Sequence, residues 1–111
     1  MTYGSPPTRT PLKQAVFHIL LALSQGQLHG LAIADSVEAE TDGQIRLGPG
    51  TLYRSLKEMS EAGLVGQVRV GDEDPRRKTY EISADGRSLV RAEAERLARV
   101  VEVARSRKVL G

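Results

Sequence analysis

The chain has 111 residues, 40% hydrophobic and 27% charged, the proportions of an ordinary globular protein of one domain. It holds no cysteine, which excludes a disulfide framework and a thiolate metal site. Three basic and four acidic residues up to Leu47 give −1, six of each from Gly48 to Ser83 give 0, and seven against four from Ala84 onward give +3, for a net +2. That balance permits nucleic-acid binding without demanding it.

No apolar run nears the ~20 residues of a membrane span, and the opening MTYGSPPTRT lacks the apolar core of a secretory signal. A cytoplasmic protein with no membrane partner is the expectation. Residues 1–9, rich in Pro, Gly and Ser, read as a flexible arm. Thr10-Pro11 reads as a helix start, with Thr10 as N-cap and Pro11 in the first turn. Leu12, Val16, Ile19, Leu20 and Leu23 then recur at helical spacing and give the first helix one apolar face.

A second helix is predicted from about His29 to Glu40, with Ile33, Ala34 and Val37 inward, closed by the turn Thr41-Asp42-Gly43. A third is predicted from about Pro49 to Ala62. It buries Leu52, Leu56 and Met59, and Gly63 stands where a left-handed cap is wanted. Beyond Leu64 the period drops from helical to alternating. VGQVRV and KTYEIS read as two half-buried strands, joined by the polar turn GDEDPRR. Ser83 is the expected N-cap of a long last helix from Ala84 to about Lys108.

Three short helices, a β-hairpin and a long helix make a mostly α, α+β chain with the layout of a winged helix-turn-helix. In that layout residues 10–83 form the DNA-binding domain and residues 84–111 a C-terminal dimerisation helix. The third helix enters the major groove and the hairpin is the wing. Pro49 pre-sets the backbone at the helix start, and Gly48 and Gly50 leave it bare where a phosphate could reach free N–H groups. With Leu52 inward, Arg54, Lys57 and Glu61 project from the opposite face, and Thr51 and Tyr53 lie on its flanks. The Tyr53 ring is expected to pack on the hairpin with its hydroxyl outside. At the wing, Arg76, Arg77 and Lys78 are placed for the minor groove or its phosphates. The candidate DNA contacts are therefore Gly50, Thr51, Tyr53, Arg54, Lys57, Arg76, Arg77 and Lys78.

HGLAIADSV, GPGTLYRSLKEMSEAGLV and DPRRKTYEISADGRSLV, in that order, resemble the phenolic-acid-decarboxylase-repressor (PadR) family of bacterial transcription regulators. The likeness runs from about Leu12 to Lys108, with Leu31 departing from the aromatic that many relatives carry after His-Gly. It implies a homodimer that represses transcription from double-stranded DNA and is often released by a small-molecule effector. The single C-terminal helix is similar to that of the short members.

Within that helix Val90, Ala94, Leu97, Val101 and Ala104 recur at spacings of four, three, four and three, a coiled-coil seam for a dimer interface. A helix of roughly 25 residues is ~37 Å long and outruns a domain this small. Catalysis is not expected: no Gly-x-Ser-x-Gly and no nucleotide-binding glycine loop follows a strand. Nor is a metal or other cofactor. His18 and His29 sit on different helices, and Asp72-x-Asp74 is too sparse for a calcium loop. The competing function, a winged helix that binds protein rather than DNA, would tend to show an apolar outer face on the third helix. Arg54 and Lys57 stand there instead.

Overall fold

The computed structural model describes residues 9–68 and 78–111, as four helices and a small sheet. The elements are α1 (Gln14–Leu23), β1 (Leu28–His29), α2 (Gly30–Glu40), α3 (Pro49–Glu61), β2 (Val65–Val68), β3 (Thr79–Ile82) and α4 (Ala84–Ser106). The three strands are antiparallel in the order β1-β3-β2, so β3 is central, with Leu28 opposite Tyr80 on one side and Gln67 opposite it on the other. This is the winged helix-turn-helix architecture expected from the element order.

The core forms where the apolar stripes of the helices converge. Val16, Ile19, Leu20 and Leu23 of α1, Ile33 and Val37 of α2, and Leu52, Leu56 and Met59 of α3 are all buried. Leu64, Val65 and Tyr80 close the sheet side, and Val90 of α4 joins the same cluster. α4 is therefore part of the domain's core over its first half.

Two helix ends show how local chemistry and tertiary contacts divide the work. Gly63 adopts φ +78 after α3, as predicted for a left-handed cap. Its N–H donates to Ser60 O (3.1 Å) and that of Leu64 to Met59 O (2.9 Å), the paired bonds of a glycine-capped helix. At α1 the prediction fails: the helix begins at Gln14 with Lys13 as N-cap, not at Thr10-Pro11. The segment before α1 is held instead by the last helix, the Leu12 N–H donating to Glu93 on α4.

β1 was not expected, because two residues are too few to show a period. It exists because it adds a third strand to β3 just before α2. α4 starts at Ser83 as predicted, the serine Oγ accepting from the Gly86 N–H at 3.0 Å, and ends at Ser106 rather than Lys108. Its far half projects from the domain. The radius of gyration is 15.1 Å and the longest extent 54 Å, against ~13 Å for the radius of a compact chain of this length.

Candidate nucleic-acid interface

The outer face of α3 is built by default from what its core face leaves over. With Leu52, Leu56 and Met59 inward, Thr51, Arg54 and Lys57 are exposed on the side away from the core. Gly48 is the N-cap, with no side-chain capping bond, and Pro49 opens the helix. A Cβ at Gly48 or Gly50 would meet nothing within 4 Å, so no internal crowding requires those glycines. Pro49 has no N–H and that of Leu52 donates to Gly48 O (2.9 Å), which leaves the N–H groups of Gly50 and Thr51 as the first-turn donors an anion could use.

Tyr53 is 37% exposed and seated differently from the expectation. Its ring lies over Gly30, the first residue of α2. A Cβ there would come 2.5 Å from the tyrosine oxygen and 3.0 Å from two ring carbons. The glycine of the His-Gly pair is thus the seat of an α3 aromatic. Its other flank opens onto the hairpin, across a cleft of ≈ 340 Å³ whose walls include Tyr53, Lys57, Ser60, Gln67, Lys78 and Tyr80. Burial, and secondarily Tyr53, raise the Tyr80 phenol pKa above its ordinary value, so that hydroxyl stays neutral at the cleft floor.

Lys78 is exposed immediately before β3 and shares the cleft with Lys57, bringing one residue of the wing beside one of α3. Arg76 and Arg77, with the turn GDEDPRR and its Asp72 and Asp74, lie outside the described residues.

The histidines do structural work. His29 caps α2, its Nδ1 accepting the Ala32 N–H at 3.3 Å. His18 packs edge-on against Phe17, ring centroids 5.3 Å apart.

The five residues of the expected α4 seam divide between two environments. Val90 is 8% exposed within the chain's own core. Leu97 and Ala104 are half-buried, Ala94 is exposed, and Val101 is 40% exposed. Glu93, which the apolar pattern passed over, sits 3% exposed in the middle of that stripe. It accepts the Leu12 N–H (3.0 Å) and holds the Arg96 guanidinium in a fork of 2.6 and 3.1 Å. Those bonds, the arginine's foremost, hold its carboxyl below the ordinary value against the opposing effect of burial. The Glu-x-x-Arg spacing was the available signal, but it also describes any solvated helix pair.

No helix among the described residues is long and apolar enough to cross a membrane. In comparisons with known proteins, residues 19–92 match the transcriptional regulator PadR-like family. A curated relative, an uncharacterized 37.1 kDa protein in transposon TN4556 of Streptomyces fradiae, is 38% identical over 82 residues. That match takes in 74% of this chain and 22% of the relative, so the chain spans about a fifth of that protein's length. Among solved structures, a transcriptional regulator from Clostridium thermocellum superposes with a TM-score of 0.67 at 22% identity, over 81% of this chain and 88% of its own. A PadR family transcription regulator from Clostridium difficile gives 0.65 at 20% identity, over 81% and 95%. With the family match spanning most of the chain and the winged-helix fold shared with these regulators, the chain belongs to the transcriptional regulator PadR-like family.

Proposed function

We propose that the chain represses transcription as a homodimer, with its two α3 helices in successive major grooves of a pseudo-palindromic operator. Residues 10–83 would supply the DNA-binding unit, Arg54 reading base edges while Gly50, Thr51, Tyr53, Lys57, Arg76, Arg77 and Lys78 hold the backbone. Residues 84–111 would supply the dimer contact. Release by a small-molecule effector belongs to the same proposal and would act by changing how the two α4 helices pair.

One observation carries the dimer. Gly86, Val90, Glu93, Leu97, Val100, Val101 and Ala104 fall on one face of α4. The first three are buried against their own domain, whereas Val100 and Val101 are 52% and 40% exposed. The core-facing stripe continues past the core it faces. A symmetric second copy covers such a stripe without leaving a new open surface.

Genome-wide selection of bound fragments tests the reading. The expected product is an inverted repeat with half-site centres ~34 Å apart. Fragments with no repeat, bound no better than random DNA, would overturn it.

A further inference from the structure

α3 ends and α4 begins at one place, although Gly63 and Ser83 are 20 residues apart in sequence. The Ser83 hydroxyl donates to Gly63 O at 2.6 Å, and its backbone N–H donates to Leu64 O at 2.9 Å. The N–H groups of Gly63 and Leu64 in turn donate to Ser60 and Met59 of α3. Hydrogen bonds thus run unbroken from the last turn of α3 to the first turn of α4, where the same Ser83 Oγ accepts the Gly86 N–H.

Gly86 leaves no slack in this junction. A Cβ there would stand 2.8 Å from Ile82 Cγ1 and 3.3 Å from Leu20 Cδ2, and would run into the Leu64 carbonyl oxygen. The first turn of α4 therefore rests directly on the peptide that follows α3.

We infer that Ser83 and Gly86 are positioning residues that set the spacing of the operator half-sites, by locking the angle between the dimer helix and the recognition helix. The inference rests on the dimer reading above. One base pair added between half-sites displaces them by about 3.4 Å and rotates them by roughly a tenth of a turn. A rigid α3–α4 joint tolerates neither change; a loosened one tolerates both.

The chemistry of Ser83 allows its two roles to be separated. An N-cap needs only an acceptor, whereas the tie to α3 needs a donor. Ser83→Asp keeps the acceptor and loses the donor. Ser83→Gly loses both but is a serviceable N-cap, and Ser83→Thr keeps both.

The test measures affinity for a single half-site recovered by selection with the wild type. It repeats the measurement on inverted repeats of that half-site at the best spacing and with one base pair added or removed. The wild type and Ser83→Thr should lose roughly tenfold away from the optimum, because simultaneous engagement is lost. Ser83→Asp and Ser83→Gly should lose no more than about threefold on the same pair of changes, as a jointed dimer would. All four should remain dimers by light scattering with equal single half-site affinity. If Ser83→Asp fails to fold, Ser83→Gly carries the comparison. Equal spacing profiles in all four proteins would overturn the inference and leave the dimer standing. A weakened single half-site in the two donor-less variants would overturn it as well, by placing the effect in α3 itself. A flat profile in the wild type would overturn both this inference and the dimer reading.

Discussion

Glu93 on α4 accepts a hydrogen bond from the backbone N–H of Leu12, 81 residues away in the chain. That bond fastens the segment leading into α1 to the last helix. Glu93→Gln should retain the shape but weaken both the Leu12 bond and the Arg96 fork, destabilising the fold by about 1–3 kcal/mol. Denaturant unfolding at fixed protein concentration checks it; an unchanged midpoint would mean the buried carboxylate contributes nothing.

The same group sets an acid limb. Its folded pKa lies below the ordinary 4.5, so its contribution is fully present above that value and is lost as pH falls through the folded pKa. Wild-type stability should therefore decline as pH drops below about 5, and the Glu93→Gln protein should decline less steeply. Parallel denaturation curves for the two proteins down to pH 3 would contradict the assignment.

Gly30→Ala should be destabilising by about 1–3 kcal/mol, since the new methyl overlaps the Tyr53 ring. In a Tyr53→Ala background the same change should be neutral or mildly stabilising, because the obstacle is gone and alanine suits a helix better. The double-mutant cycle checks the contact directly. Additive effects would show that the two residues do not meet.

On DNA, Lys57→Ala and Lys78→Ala should weaken operator and scrambled duplexes alike and reduce the salt slope by about one charge each. Arg77→Ala is expected to behave the same way. Arg54→Ala should cost ~1–3 kcal/mol on the operator and much less on the scrambled duplex. Titrations at several salt concentrations separate the two classes. Equal losses for Arg54→Ala on both duplexes would reassign it to a phosphate.

Val101→Glu is a cleaner probe of the proposed dimer than Leu97→Glu, because Leu97 is half-buried within its own chain while Val101 is 40% exposed. A charge there would be desolvated in the interface and set near its symmetry mate. The expected outcome is a folded monomer with DNA affinity strongly reduced, since each half-site then binds alone. Arg99→Glu, on the opposite face of α4 and exposed, should remain a dimer. Gel filtration with light scattering decides between them, and a dimeric Val101→Glu would refute the stripe.

The sequence by itself determined the helices, the hairpin and the family, because each depends on neighbours a few residues apart. The 4-and-3 spacing of Leu52, Leu56 and Met59 chose the face of α3 that turns outward. Gly63 and Ser83 marked helix ends through bonds that close within one turn. Only the tertiary structure decided what those residues meet across the fold. Nothing local sets the Tyr53 ring on Gly30, pairs β1 with β3, buries Glu93 under Leu12, or takes Val90 from the expected seam into the core. The physical reason is the range of the interaction. Hydrophobic period and capping act along the chain, while close approach and buried hydrogen bonds exist only after packing brings distant segments within a few ångströms.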